Sequence, residues 1–345
     1  MSAAAVRRLR AALSTTNRGL RVDARKVRVL DTPSEFYGAL VDGIERAERR
    51  VTLASLYLGT GEKEQRLVQA LHSRMAAQPA LEATVVLDHN RGLRRGRGGE
   101  PTSADMLAPL VRDHRAASAV GFYLMPQLRG AVRWIPSKYR RGLAEGAAVQ
   151  HLKAYVFDDT VIMSGANLSD DYFTNRQDRY IVFDDAPALA DHYHSLVESL
   201  IPFSHELARA PGKSDPGVEA PRSRDAAAEA AALASCLARS GGGGDDGGGG
   251  AGDEHAAWVY PTIQSPALAL RNDEAVTRTL LRLSSSAEPD AGAARIDISS
   301  GYLNLHDGYS NLLVGGETPV RILTASPQAN GFYGAKGVFL FTVTF

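Results

Sequence analysis

The sequence predicts an α/β protein built of two related α/β sandwich halves, the second incomplete. Three observations lead there. From about Val27, apolar strand-like runs alternate with helical patterns. A strand, helix and strand of that first half find counterparts near the C-terminus, and between the two lies a stretch whose composition supports no packed core.

Taken in order, residues 51–58 (VTLASLYL) read as a buried strand, and 62–75 as a helix with Leu67, Val68, Leu71 and Met75 on one face. Residues 83–88 (ATVVLD) and 120–125 (VGFYLM) are further buried strands. Two short runs, 151–157 and 160–164, read as a hairpin, followed by a strand at 180–183 and a helix at 186–200.

The ends and the middle differ from this pattern. Before its first acidic residue, Asp23, the chain carries Arg7, Arg8, Arg10, Arg18 and Arg21 among Ala, Ser and Thr. That is the composition of an organelle transit peptide, and also of a frayed basic terminus. No long apolar run follows the arginines, which argues against a secretory signal. Residues 211–254 open with Pro, Ser and charge, pass through an Ala-rich helical run at 226–238, and reach GGGGDDGGGG at 241–250. Glycine runs of this kind are flexible coil and bury nothing. Beyond them, RIDISSGYL (295–303) matches RVTLASLYL (50–58) on Tyr302 and Tyr57, and 319–331 resemble 83–92. A helical pattern separates the strands in each half, more weakly at 309–314. Two halves on one plan is the economical reading, although buried strands also resemble one another by chance. The expected order is a transit segment (1–26), a first half (27–210), a linker (211–254) and a partial second half (255–345).

Charge and composition narrow the function. Lys plus Arg number 39 and Asp plus Glu 39, so the formal net charge is zero. No global field draws the chain to nucleic acid, which is not an expected partner, or to an anionic membrane; such contacts would need local patches. No stretch approaches the roughly 18 consecutive apolar residues of a spanning helix. Membrane contact is expected to be peripheral. One cysteine, Cys236, excludes an intrachain disulfide framework and a cysteine-based zinc cluster.

Residues 151–167, HLKAYVFDDTVIMSGAN, carry the chemistry. Their pattern is H-x-K-x4-D-x6-G-x-N, with His151, Lys153, Asp158, Gly165 and Asn167 at the fixed places. On a strand, residues two apart share a face, so His151 and Lys153 project together with Tyr155 behind them. A neutral imidazole can attack phosphorus, an ammonium can neutralise phosphate oxygens, and an amide adds a hydrogen bond. No metal or cofactor is needed. Gly165 is small enough to let the returning chain bring Asn167 close to the same phosphate.

This pattern is that of the phospholipase D superfamily, of which the chain is identified as a member. The resemblance implies a phospholipase D-like fold, a phosphodiester attacked by His151 to give a phosphohistidine, and a second motif's histidine protonating the leaving group. It also implies an acidic residue about eleven positions after the motif Asn that orients a motif histidine. Asp178 holds that place, where a salt bridge to Arg176 or Arg179 is the alternative. Asp158 is read as bracing the strand pair. The words ASLYLGTG (54–61), the block from His151 to Phe183 and SPQANGFYGAKG (326–337) resemble the eukaryotic mitochondrial phosphatidylglycerophosphate synthases. That resemblance implies transfer of a phosphatidyl group from CDP-diacylglycerol to sn-glycerol 3-phosphate, with release of CMP, peripherally at the mitochondrial inner membrane. Phosphatidylserine synthases and phosphodiesterases of the superfamily are the alternatives.

Both substrates are anionic, and Arg91, Arg94, Arg95 and Arg97 crowd the loop after the second strand. There they could hold a pyrophosphate, rest on anionic lipid, or simply be solvated. Trp134, Ile135, Lys138, Tyr139, Arg140 and Arg141 mix an apolar anchor with cations, as an interfacial segment or an ordinary surface helix would. The departure from the superfamily is the single H-x-K. The repeat offset of 245 (302 minus 57) puts a second histidine near 396, past Phe345, and VFLFTVTF (338–345) no longer resembles the family. Three expectations follow: an incomplete sequence, a homodimer pairing two copies of His151, or a non-catalytic fragment that binds lipid or nucleotide.

Overall fold

The computed structural model describes residues 3–96, 98–129, 148–209, 215–239, 255–285 and 295–328, other than 302, 304 and 327. Two compact units divide it: residues 20–259, and residues 1–19 together with 260–345. Helix α1 (Ala3–Ser14) belongs to the second of these.

In the first unit, β1 (Leu20–Asp23) and β2 (Val27–Leu30) precede α2 (Pro33–Arg46). The start of α2 is set locally. The Thr32 hydroxyl accepts from the Glu35 N–H at 3.1 Å, the Glu35 carboxylate accepts from the Asp31 N–H at 2.8 Å, and Pro33 stands in the first turn. Its buried residues Phe36, Leu40, Val41 and Ile44 fall on one face. Phe36 is wholly buried and stacks on Tyr180 with ring centroids 4.7 Å apart, so truncating it to alanine would cost about 3–5 kcal/mol.

The chain continues through β3 (Arg50–Ser55), α3 (Glu62–Ala77), β4 (Glu82–Asp88), the short α4 (His89–Gly92), α5 (Ser103–Asp113) and β5 (Ser118–Tyr123). A capping box between Thr102 and Asp105 starts α5. There follow β6 (Ala154–Phe157), β7 (Thr160–Ser164), α6 (Asp170–Thr174), β8 (Tyr180–Phe183), α7 (Pro187–Leu200), β9 (Ser204–Ala208), β10 (Gly217–Glu219), α8 (Ala226–Arg239) and β11 (Ala256–Val259). Nine strands form one mixed sheet in the order β10-β9-β5-β4-β3-β6-β7-β8-β2. The central β3, β4 and β5 are parallel, joined by α3 and α5, and the rest of the sheet pairs antiparallel. Helices α2, α3 and α5 cover one face, while α7, backed by α8, covers the other. Because both faces are covered, β3 and β4 are buried almost throughout, which explains their unbroken apolar runs.

The second unit repeats part of this plan. After the two-residue strands β12 (Gln264–Ser265) and β13 (Leu270–Arg271) come α9 (Asn272–Ser285), β14 (Ile296–Ser300), α10 (Asp307–Val314) and β15 (Val320–Thr324). Strands β14 and β15 pair parallel, Ile296 against Val320, as β3 and β4 pair Arg50 against Glu82. The order helix, strand, helix, strand therefore recurs, in the segments where the sequence repeats. Ile322 and Leu323 on β15 stay 42% and 69% exposed, so this two-stranded sheet does not cover its apolar residues as the large sheet does.

Several expectations shift. The third buried strand runs from Ser118 to Tyr123, two residues earlier than its apolar run. The motif strand begins at Ala154, so residues 151–153 are extended chain ahead of it. The expected boundary after residue 26 is not one in the fold: Leu20 to Asp23 pair with Val259 to Ala256, and Leu13 and Asn17 are buried in the second unit, where the Asn17 amide donates to the Pro261 carbonyl. Within 211–254 the expected Ala-rich helical run is a helix, α8. Helix α8 packs on α7 and buries Leu233, Cys236 and Glu229, the last fully. The Glu229 carboxylate takes two bonds from the Arg129 guanidinium, at 2.6 and 3.1 Å, and one from the Tyr123 hydroxyl. The glycine run, residues 134–141 and the terminal 338–345 lie outside the described residues.

Candidate active site

The site lies at the carboxyl ends of the parallel strands β3 and β4, where the hairpin β6–β7 begins and returns. Lys153 stands one residue before β6 and Gly165 one residue after β7. Asp178 stands two residues before β8, whose Tyr180 pairs with Ser164. These three positions therefore share one end of three neighbouring strands, and two loops lock them there. Tyr155, fully buried under the motif, donates its hydroxyl to the Ala166 carbonyl at 2.7 Å. The loop 165–170 is fastened to the loop after β3: Gly59 N–H donates to the Leu168 carbonyl at 2.8 Å, Tyr57 and Ser169 hydroxyls meet at 3.2 Å, and Asp170 N–H donates to buried Glu64 at 2.7 Å. Two words far apart in sequence, ASLYLGTG and SGANLSD, thus form one wall.

His151 keeps exposed surface, and its ring makes no hydrogen bond to a described residue. The ring is nonetheless crowded by protein atoms. That crowding, with the Lys153 charge added, lowers its pKa to about 4, so the imidazole is neutral at physiological pH. Lys153 is 5% exposed and donates to the His151 carbonyl at 3.1 Å. Burial lowers its pKa to about 7, against the opposing pull of Asp178. An anion beside it would restore the proton. Asn167 is 4% exposed, and its Oδ1 is buried without a hydrogen-bond partner among the described residues.

No hydrogen bond joins Asp178 to the His151 ring. Its carboxylate accepts from the N–H groups of Gly165 at 3.1 Å and Arg179 at 2.7 Å, and it forms no ion pair with Arg176 or Arg179 among the described residues. The close approach that requires glycine at 165 is this one: a Cβ there would sit 2.8 Å from an Asp178 carboxylate oxygen.

Asp158, a fixed place of the motif, lies apart from His151 and Lys153. It ends β6 at the far end, about 16 Å from Lys153 over five residues at roughly 3.3 Å each. There, at φ 50°, its carboxylate accepts from the N–H groups of Glu48 (2.9 Å), Arg49 (2.8 Å) and Arg50 (3.0 Å). Burial works against its ionised form, but these three donors outweigh it and hold its pKa below the ordinary carboxylate value. An open groove of about 670 Å³ between α2 and the strands surrounds this end, far from His151.

Of the arginines, Arg91 lies over the Tyr57 ring at 4.9 Å, on the site's wall. Arg95 pairs with Asp105 at 3.5 Å at the start of α5, while Arg97 and the segment 134–141 lie outside the described residues. Sequence reasoning missed Asp88. It is fully buried at the end of β4 and accepts from the N–H groups of Gln150 and Arg91, both at 2.9 Å, so it ties the motif's entry to the sheet. The signal was there: a buried apolar strand that ends on a carboxylate needs donors for it.

No family model matches the chain. Its relatives include the mitochondrial CDP-diacylglycerol–glycerol-3-phosphate 3-phosphatidyltransferases of Gallus gallus and Homo sapiens, each 36% identical over 351 residues, 92% of this chain and 60% of theirs. A probable enzyme of the same name from Dictyostelium discoideum is 31% identical over 94% of this chain and 57% of its own. The chain thus spans about three fifths of the length of these relatives. Among solved structures, phosphatidylserine synthase of Haemophilus influenzae superposes with a TM-score of 0.62 at 18% identity, over 95% of this chain and 67% of that one, a likeness of fold. Along nearly its whole length the chain is thus similar to the mitochondrial CDP-diacylglycerol–glycerol-3-phosphate 3-phosphatidyltransferases, and its fold is similar to that of phosphatidylserine synthase.

Proposed function

We propose that the chain transfers a phosphatidyl group from CDP-diacylglycerol to sn-glycerol 3-phosphate, giving phosphatidylglycerophosphate and CMP. The observation that carries this reading is a neutral, accessible His151 beside a buried Lys153, in a homologue of enzymes named for that reaction. In the proposed mechanism a ring nitrogen of His151 attacks the phosphatidyl phosphorus and the bond to CMP breaks, leaving a phosphohistidine. Lys153, which takes up a proton from solvent when the anion binds, and Asn167 hold the phosphoryl oxygens. The primary hydroxyl of glycerol 3-phosphate then attacks phosphorus, its proton passes to solvent, the phosphorus–nitrogen bond breaks and His151 is released. Asp178 fixes Gly165 and so the return of Asn167; orienting a motif histidine is its further proposed role. Arg91, Arg94 and Arg95 supply positive charge near the anionic substrates or lipid headgroups. The sequence holds one H-x-K, so a second histidine to protonate the leaving group is not assigned here; a homodimer would bring one.

The relatives' names place those enzymes in mitochondria, and we propose the same compartment for this chain, peripherally at the inner membrane. Among the described residues, no helix is long and apolar enough to cross a membrane. The test is CMP release from CDP-diacylglycerol in detergent micelles, with and without glycerol 3-phosphate. His151→Asn is expected to abolish release and the acid-labile phosphoryl label, and unchanged turnover would refute the role. Competition among glycerol 3-phosphate, serine and water separates this reaction from that of a phosphatidylserine synthase or a phosphodiesterase.

A further inference from the structure

Gln150 immediately precedes the motif histidine, and the proposed chemistry does not use it. It is 4% exposed, and both its amide oxygen and its amide nitrogen are buried without a hydrogen-bond partner among the described residues. Among the described residues, Gln150 alone leaves two such atoms. Unmet buried polar atoms cost folding free energy, which an apolar side chain of similar size would avoid.

The position of Gln150 is rigid. Its main-chain N–H is held at 2.9 Å by Asp88, a fully buried carboxylate that also binds the Arg91 N–H at 2.9 Å. Asp88 therefore joins the end of β4 and the arginine loop to the motif's entry, and it fixes the backbone at the residue before His151.

An amide offers an acceptor and a donor side by side. A phosphate, which offers acceptors alone, can satisfy only half of it, and Lys153 and Asn167 already serve the phosphate in the reading above. The complement of a free carboxamide is a neutral group with a donor next to an acceptor. Resting on that reading, we propose that Gln150 is a specificity residue whose amide binds such a group on a substrate. Two sources offer it: the edge of the pyrimidine base on the nucleotide, and the neighbouring hydroxyls of the glycerol phosphate acceptor.

The experiment is titration calorimetry on the full chain with CMP, sn-glycerol 3-phosphate and inorganic phosphate, for wild type, Gln150→Met and Gln150→Asn. Methionine nearly conserves volume and removes both polar atoms. Gln150→Met is expected to melt at or above the wild-type temperature and keep its affinity for inorganic phosphate. It is also expected to lose about tenfold for either CMP or glycerol 3-phosphate, the one affected identifying the source. Gln150→Asn, which retains but withdraws the amide, is expected to weaken the same ligand by less and serves if the methionine variant fails to fold. Wild-type affinity for both organic ligands in a folded variant would overturn the proposal and leave the reading beneath it standing. Equal loss for all three ligands would also overturn it, since Gln150 would then only shape the motif. Failure of the wild-type chain to bind CMP and glycerol 3-phosphate would overturn both.

Discussion

Replacing Asp158 by alanine separates bracing from catalysis within the motif. The carboxylate holds the N–H groups of Glu48, Arg49 and Arg50 at 2.8 to 3.0 Å, and no other described group takes their place. A hydrogen bond to a charged group contributes about 1.5–3 kcal/mol when buried, but this turn is half exposed and water can replace part of each bond, so about 1 kcal/mol apiece is the appropriate scale. Alanine at φ 50° adds about 1 kcal/mol of backbone strain that aspartate tolerates better. Together the loss is about 4 kcal/mol, a large part of an ordinary domain's stability. Equilibrium urea unfolding of the full chain measures it. Asp158→Asn, which keeps an acceptor oxygen and tolerates the left-handed backbone, should lose about half as much. Because the folded pKa lies below the unfolded one, the stabilisation is complete above the unfolded value near 3.8 and disappears as pH falls through the folded one. Inorganic phosphate binding at Lys153 should be unchanged wherever the variant is folded. A stable Asp158→Ala chain that had lost phosphate binding would refute the assignment.

Other perturbations test the rest of the frame. Gly165→Ala puts a methyl 2.8 Å from the Asp178 carboxylate, and displacing that group should cost about 1–3 kcal/mol, read by thermal melting, and weaken phosphate binding; a variant as stable as wild type would contradict the packing. Lys153, with its pKa lowered to about 7, should take up a proton when a phosphodiester binds above that pH. Affinity should then fall with rising pH, by up to about tenfold per unit, and calorimetry in buffers of different ionisation enthalpy should lose the uptake in Lys153→Met. Flat affinity between pH 7 and 9 would count against a buried, mostly neutral lysine. Glu229→Ala leaves Arg129 and Tyr123 without their shared carboxylate and should destabilise the first unit by about 3 kcal/mol, with faster proteolysis of α8; no change would return that helix to the linker.

Much of this was legible because the causes are local. The run VTLASLYL is strand-like whatever surrounds it, and the short apolar runs inside H-x-K-x4-D-x6-G-x-N read as the hairpin that forms there. The internal repeat was legible for the same reason, since each strand pair carries its own apolar pattern. Where spacing was extrapolated, it failed by small steps: the alternation assumed for His151 and Lys153 presumed a strand that starts only at Ala154.

What the sequence could not supply depends on residues that are distant along the chain. Nothing near Ala226 announces that Glu229 will meet Arg129 and Tyr123, a hundred residues earlier, and an Ala-rich run beside glycines reads as a connector until that ion pair anchors it. Asp88 became a clamp only when Gln150 was brought to it, and Asp178 found its donors in Gly165 and Arg179 instead of the histidine ring. The sequence by itself determined the α/β class, the repeated plan and the H-x-K-x4-D-x6-G-x-N motif, because those rest on periodicity and spacing. The tertiary structure alone decided which N–H groups each carboxylate meets. A carboxylate's role depends on the donors that folding places around it, and those donors are backbone N–H groups that every sequence contains and no sequence singles out.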